Sequence, residues 1–94
     1  MKLQVRYTAQ LRTLLGQAEE DVDLPEGSNL AELLRRVAGQ RGPDAKEHLL
    51  MPTGEPRPSL LMVVNDAAVS AREAAAVVLQ PGDVVTLLPP IAGG

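Results

Sequence analysis

Residues 29–38 read NLAELLRRVA, and this stretch decides the fold because it predicts the one clear helix of the chain. Its apolar side chains recur at the i, i+3, i+4, i+7 and i+8 spacing of a single helical face; they are Leu30, Leu33, Leu34, Val37 and Ala38. Asn29 and Glu32 have the spacing of a capping box, so the helix should begin after Asn29. Gly42 and Pro43 end it. One amphipathic helix of this kind can cover one face of a β-sheet.

Two strands are predicted before this helix. Residues 2–8 alternate between polar and apolar side chains, which is typical of a half-buried strand. Residues 18–24 predict a second strand that pairs with the first as a hairpin. Between them, residues 9–15 favour a short helix that is closed by Gly16 at its C-cap. The acidic run at positions 19–21 is interpreted as a solvated edge, where charge discourages pairing with another sheet.

Further strands are predicted after the helix. Residues 60–64 and residues 84–88 each predict a strand with apolar side chains on both faces. Residues 67–69 favour a short strand between these two. Residues 71–79 are ambiguous because their alanines favour a helix and their last three residues favour a strand. The first and last strands should lie side by side and parallel at the centre of the sheet, since a long crossover joins them.

The chain ends on residues 89–94, which read PPIAGG. Two prolines fix φ and remove N–H donors, so the tail should leave the folded body without continuing a strand. Two terminal glycines lack Cβ atoms, so their backbone can pass through a slit too narrow for other residues. We therefore predict one domain over residues 1–88 and a flexible tail over residues 89–94, with a free carboxyl group on Gly94.

Composition narrows the possible functions. The chain has 94 residues, 45% of them hydrophobic, as expected for one globular domain. A net charge of −3 argues against a nucleic-acid partner, because phosphate binding needs a basic surface. The longest apolar run, residues 74–79, is too short to span a membrane, so we expect a cytoplasmic protein without a membrane partner. Cysteine is absent, which excludes thiolate catalysis and disulfides.

The order of the predicted elements, together with the ending of the chain, resembles that of a known family. The ending is residues 79–94, which read LQPGDVVTLLPPIAGG. It is similar to the ubiquitin-like sulfur carriers of the MoaD/ThiS group, which include the small subunit of molybdopterin synthase. Weaker marks are residues 9–12 after the first strand and residues 64–65 at the end of the third. The resemblance implies an α+β fold, the β-grasp, with a mixed sheet of four to five strands and one main helix packed on one face.

The resemblance also implies a function centred on Gly94. An adenylating, E1-like activating enzyme would use ATP to convert the Gly94 carboxylate into an acyl-adenylate, and a sulfur donor would then form a thiocarboxylate. Ile91, Ala92 and Gly93 would enter the partner's active site. No catalytic residue, metal site or permanently bound cofactor is expected in this chain, because it lacks a nucleotide-binding glycine loop and a metal-ligand cluster.

Several pathways stay open at this point. Molybdopterin synthesis is the leading one, with a molybdopterin synthase large subunit as sulfur acceptor. Residues 43–59 and 65–83 look longer than in that small subunit and are more similar to the carrier that supplies sulfur for cysteine synthesis, whose acceptor is a cysteine synthase homologue. Thiamine synthesis and tRNA thiolation are alternatives. The chain could also be a protein modifier that is joined to lysines, or an interaction domain with an inert tail.

A docking surface is predicted from the two strands that are apolar on both alternations. One helix cannot cover both faces of a sheet, so one alternation should stay exposed for a partner. We assign Leu88, Leu61 and Val63 to this surface, with core membership of Leu88 as the alternative.

Other polar residues favour structural roles. Arg35, Arg36 and Arg41 are interpreted as a solvated face that complements the dipole of the helix. His48 lacks a catalytic neighbour in the sequence and is interpreted as a surface residue. Asp83 follows Gly82 in a predicted turn, which it should cap or close.

Overall fold

The computed structural model describes residues 1–88, which form one mixed β-sheet with helices on one face. The five strands are β1 (Lys2–Tyr7), β2 (Glu19–Asp23), β3 (Leu61–Val64), β4 (Ala67–Val69) and β5 (Val84–Leu88). The helices are α1 (Ala9–Leu15), α2 (Leu30–Arg41), α3 (Pro43–Leu49) and a 3₁₀ helix (Ala71–Ala76). No helix within residues 1–88 is long and apolar enough to cross a membrane.

The strands follow the order β2-β1-β5-β3-β4 across the sheet. Strand β1 pairs with β2 as an antiparallel hairpin and with β5 in parallel, and β5 pairs on its other side with antiparallel β3. The first and last strands are therefore neighbours at the centre, as the sequence predicts. This is the β-grasp arrangement, and the α+β prediction is confirmed.

Helix α2 covers the inner face of the sheet because its apolar stripe is continuous. The side chains of Leu30, Ala31, Leu33, Leu34, Val37 and Ala38 are all buried. The predicted capping box is present: the Glu32 N–H donates to the Asn29 side-chain oxygen (2.9 Å), and the Asn29 N–H donates to the Glu32 carboxylate (3.1 Å). These bonds satisfy two N–H groups that the start of a helix leaves without partners.

The core between α2 and the sheet is almost wholly aliphatic. Strand β1 contributes Leu3, Val5 and Tyr7, and β5 contributes Val85 and Leu87. Tyr7, the one aromatic residue of the sequence, is 1% exposed. Each strand thus turns one alternation toward the helix and leaves the other for the opposite face.

The interpretation of the acidic run at positions 19–21 as solvated is wrong for Glu20. Glu20 lies opposite buried Val5 in the β1–β2 hairpin, so its side chain points to the helical side of the sheet. Its side chain is 15% exposed. Glu19 and Asp21 point the other way and are exposed, as predicted.

The ambiguous segment at positions 71–79 divides between two structures. Its alanine-rich first part forms the 3₁₀ helix, which begins with a capping box between Ser70 and Glu73. Its second part is extended, and Val78 forms an isolated bridge with Asn29 at the start of α2. Residues 43–49 form α3, whereas strand β3 begins at Leu61, one residue later than the sequence pattern suggests.

Candidate functional site

The outer face of the sheet carries an apolar patch, defined here as Leu61, Val63 and Leu88. The register pairs Leu61 with Leu88 and Val63 with Thr86, so these side chains share a face. Leu61 is 59% exposed, and Val63 and Leu88 are half-buried. Isolated exposed leucines are ordinary, but three neighbouring apolar side chains at the end of the last strand form a surface that a partner can cover.

The neighbouring half of the same face is charged. Lys2, Gln4 and Arg6 alternate with the core residues of β1, and they face the acidic residues of β2. Lys2 Nζ lies 3.8 Å from the Asp21 carboxylate, and Arg6 Nε lies 3.6 Å from the Glu19 carboxylate. The outer face therefore combines an apolar half over β3 and β5 with a half of alternating charge over β1 and β2.

Strand β5 is held at its start by a cluster of hydrogen bonds. The Asp83 carboxylate accepts from the Gln80 N–H (2.8 Å) and from the side-chain amide of Asn65 (3.1 Å). The Asn65 side-chain oxygen accepts from the Val84 N–H (3.0 Å). Gly82 adopts a φ of 85°, which suits glycine in this turn. The prediction that Asp83 closes the turn is confirmed.

The end of β5 is held from the side of β1. The Thr8 hydroxyl donates to the Leu87 carbonyl oxygen at 3.2 Å. Because β5 is also paired on both sides by neighbouring strands, its last residues have a fixed position in the sheet. Residues 89–94 therefore follow directly from a firmly held strand that ends within the apolar patch.

A polar network ties this sheet to the end of α2. The Tyr7 hydroxyl donates to the Glu20 carboxylate (2.5 Å), and the Arg41 guanidinium contacts the same carboxylate at 2.6 Å. Burial and the hydrogen bond to Glu20 raise the pKa of Tyr7 far above its usual range, and the hydrogen bond to Glu20 raises the pKa of Arg41. Arg41 is exposed at the end of α2, as predicted, and its guanidinium also pairs with the less exposed Glu20.

The predicted docking residues Leu61, Val63 and Leu88 meet on one face of the sheet. The predicted tail residues Ile91, Ala92, Gly93 and Gly94 lie outside the residues that the structure describes. His48 is an exposed residue of α3, with its Nδ1 2.8 Å from the Asp44 carbonyl oxygen. Within residues 1–88, no group of three or more His, Cys, Asp or Glu side chains is placed to hold a metal ion.

Sequence reasoning missed the charged half of the outer face. Its residues alternate along β1 and β2 in the sequence, but only the register shows that Arg6 meets Glu19 and that Lys2 meets Asp21 on the same face as Leu61. The strand alternation, carried across the predicted hairpin, was the signal that could have revealed it.

Comparisons with known proteins found similar chains. The sequence profile of the ThiS family matches residues 5–94. Small archaeal modifier protein 3 of Haloferax volcanii is 28% identical over 94 residues, which is the full length of both chains.

Two solved structures add to this likeness. A Pyrococcus furiosus protein described as molybdopterin converting factor, subunit 1, is 28% identical, with a TM-score of 0.74 over 97% of this chain and 99% of its own. A chain of the Amycolatopsis orientalis BexX/CysO complex is 26% identical, with a TM-score of 0.70 over 98% of this chain and 99% of its own.

Proposed function

The chain belongs to the ThiS family of ubiquitin-like carriers and modifiers, and from this premise we propose that it carries sulfur as a thiocarboxylate on Gly94. The single observation that supports this most is the position of β5. This strand is held on both sides in the sheet and ends at Leu88, six residues before the terminal glycine. Six residues span at most about 20 Å, which is enough to carry a carboxylate from the sheet into a partner's active site.

The proposed chemistry has two steps. The Gly94 carboxylate attacks the α-phosphate of ATP on an activating enzyme, forming the acyl-adenylate and releasing pyrophosphate. Hydrosulfide, delivered by a sulfur donor, then attacks the carbonyl carbon and expels AMP, which leaves the C-terminal thiocarboxylate. A carboxylate is a poor electrophile, and adenylation supplies the leaving group. The sequence contains no cysteine, so no side-chain thiol of this chain takes part.

We assign the apolar patch to docking with the activating enzyme and with the sulfur-accepting enzyme. Leu61 is exposed beside Leu88, so a partner that covers the patch also holds the beginning of the tail. Apolar side chains at the centre of an interface commonly provide most of its binding energy, while surrounding charges favour one orientation. The charged half of the outer face is placed to supply that orientation.

Molybdopterin synthesis is our leading pathway, with a molybdopterin synthase large subunit as acceptor. The likeness to the Pyrococcus furiosus converting-factor subunit supports it. The likeness to a chain of the BexX/CysO complex favours a different acceptor, a cysteine synthase homologue, as an alternative. Thiamine synthesis and tRNA thiolation remain further acceptor pathways within the same carrier role.

A second candidate function is protein modification through an isopeptide bond between Gly94 and target lysines. The full-length likeness to a small archaeal modifier protein favours it. Both functions begin with the same acyl-adenylate and differ in the nucleophile that attacks it. Modification requires a lysine amine, whereas sulfur transfer requires a sulfur donor.

Intact-mass spectrometry tests the carrier role. With an activating enzyme, ATP and a sulfur donor, the protein should gain about 16 Da, because one oxygen of the Gly94 carboxylate is replaced by sulfur. Deleting Gly94, or replacing Gly93 with Val, should prevent the gain while the melting temperature stays the same. Sulfur on any residue other than Gly94 would contradict the proposal. Higher-mass adducts in cells that require Gly94 would support the modifier function instead.

A further inference from the structure

A groove lies on the helical side of the molecule, away from the outer face of the sheet. It is formed by α2, the 3₁₀ helix and the connection between α3 and β3, and its volume is about 370 Å³. Small or aliphatic side chains form most of its lining, among them Ala31, Met51, Pro56 and Ala75. A volume of this size can receive one or two side chains of a ligand.

The walls of the groove are held in place by hydrogen bonds. On one side, the Met51 N–H donates to the Glu55 carbonyl oxygen (2.7 Å), and the Gly54 N–H donates to the Met51 carbonyl oxygen (2.8 Å). On the other side, the Leu30 N–H donates to the Val77 carbonyl oxygen (3.0 Å), which fixes the 3₁₀ helix against α2. The groove is therefore already formed before any ligand binds.

Two arginines stand at the groove. Arg35 uses its Nε to donate to the Gly54 carbonyl oxygen (3.2 Å), which leaves its terminal amino groups available. Arg72 is exposed, and neither arginine forms an ion pair within residues 1–88. Glu55 also lines the groove, so two positive side chains stand against one negative side chain. The lining of the groove therefore carries one more positive than negative side chain, in a chain whose net charge is −3.

We propose that this groove binds an acidic, extended peptide segment of a partner protein. An apolar side chain of the peptide fills the space over Ala31 and Ala75, and an adjacent carboxylate pairs with Arg35 and Arg72. Guanidinium groups bind carboxylates well because two N–H donors can meet two oxygens. A nucleotide fits less well, because the lining contains no aromatic side chain on which a base could stack.

The groove and the apolar patch lie on opposite sides of the sheet. Two different partners can therefore bind at the same time, one at the groove and one at the patch. This inference does not depend on the chemistry at Gly94. A carrier whose sheet face is occupied by an activating enzyme would still present the groove to a second protein.

The test is an NMR titration of the full ¹⁵N-labelled chain with the blocked peptide acetyl-Gly-Leu-Glu-Gly-amide. We expect saturable shifts of the amide signals of Ala31, Gly54, Ala71 and Ala75, with a dissociation constant of about 1 mM. The matched peptide with Gln in place of Glu should bind about tenfold more weakly, because it lacks the charge-assisted hydrogen bonds. Equal binding of the two peptides, or shifts confined to the apolar patch, would overturn the inference.

Variants separate the groove from general charge effects. Arg72→Glu should weaken binding of the Glu peptide about tenfold, whereas Arg12→Glu, the same charge change on α1, should leave it unchanged. Arg72→Gln serves as the milder variant, and native amide spectra show that each variant is folded. Sodium phosphate that produced the same shifts would identify a general anion site and overturn the peptide assignment. Arg72→Glu should leave the mass gain at Gly94 intact, so the two proposals fail separately.

Discussion

Glu20 shows how much one side chain can contribute to this small domain. Its carboxylate receives the Tyr7 hydroxyl and the Arg41 guanidinium, so it joins β1, β2 and the last turn of α2. Neighbouring Glu19 also has an arginine partner, Arg6 at 3.6 Å, but that pair is exposed. The two acidic residues are adjacent in sequence and identical in type, but Glu20 is less exposed and has two partners, whereas Glu19 is exposed and has one.

We predict that Glu20→Ala destabilises the protein by about 1–3 kcal/mol, because it leaves the Tyr7 hydroxyl and Arg41 without their shared partner in a half-buried place. Glu19→Ala should change stability by less than about 0.5 kcal/mol, since exposed ion pairs contribute little. Urea denaturation, compared at a constant m-value, measures both. Equal losses for the two variants would show that the buried network contributes nothing beyond surface charge.

The apolar patch gives a second prediction at this scale. Leu61→Glu should leave the melting temperature unchanged, because Leu61 is 59% exposed, yet weaken binding to the activating enzyme about tenfold or more. Leu88→Glu should weaken binding to the same degree, with some loss of stability because Leu88 is half-buried. Isothermal titration calorimetry measures the affinity.

Val78 provides the control for the patch, because it is 55% exposed but lies away from the outer face of the sheet. Val78→Glu should bind the activating enzyme with native affinity. Unchanged affinity in Leu61→Glu would remove the patch from the docking surface, and an unfolded Leu88→Glu variant would assign Leu88 to the core.

At the scale of elements, the turn at Asn65 connects β3 to β4 and also supports the start of β5. Asn65 has a φ of 56°, in the left-handed region, and Asp66 follows it without a positive φ. The Asn65 side chain accepts a hydrogen bond from the Val84 N–H and donates one to the Asp83 carboxylate, at the start of β5. Asparagine is suited to this position because it tolerates the left-handed conformation and carries both a donor and an acceptor.

We predict that Asn65→Ala destabilises the protein by about 2 kcal/mol, because it loses two hydrogen bonds and places a Cβ in the left-handed region. Asn65→Gly should cost about half as much, since glycine accepts the backbone conformation and loses only the hydrogen bonds. Thermal denaturation of the two variants separates the contributions. A greater loss in the Gly variant would show that the backbone conformation contributes little.

The elements that the sequence predicted well are those with local signals. The period of α2, the Asn29–Glu32 capping box and the alternation of β1 are all properties of neighbouring residues. Residues 71–79 could not be assigned, because their alanines favour a helix and their last three residues favour a strand. The spacing of Ser70 and Glu73 is that of a capping box, a local signal in the sequence that marks the start of the 3₁₀ helix.

The features that were missed depend on the register and on distant segments. Glu20 could be placed only by knowing that it lies opposite Val5 and beneath Arg41. The groove could not be predicted, because Arg35 and Arg72 line it from segments far apart in sequence. The apolar patch was anticipated from its composition, but the pairing of Leu61 with Leu88 required the sheet.

For the molecule as a whole, buried Tyr7 should make the stability of the fold decrease with pH in the alkaline range. The folded state holds the Tyr7 proton more tightly than the unfolded state does, because the pKa of Tyr7 is raised in the folded protein by burial and by its bond to Glu20. Unfolding above the ordinary tyrosine pKa of about 10 therefore releases a proton. Stability is fully present below that pH and declines as the pH rises above it.

We predict that the free energy of unfolding of the native chain falls as the pH rises above about 10. The Tyr7→Phe variant should show a smaller decrease of this free energy with pH. Because Tyr7 is the one tyrosine of the sequence, the ultraviolet absorbance of tyrosinate reports its titration directly. The absorbance of tyrosinate should appear at the pH at which the protein unfolds, and not at a lower pH. Tyrosinate formation in a chain that is still folded, at about pH 10, would contradict the raised pKa.

The parallel pairing of β1 with β5 has a mechanical consequence. The register runs from Gln4 opposite Val84 to Tyr7 opposite Leu87, so the two strands point the same way, and the start of β1 and the end of β5 lie at opposite ends of the pair. A pull on Leu88 against Lys2 therefore loads these hydrogen bonds in shear, all at once, and does not open them one by one. Force applied along the strands at Leu88 should therefore meet more resistance than force that peels the strands apart.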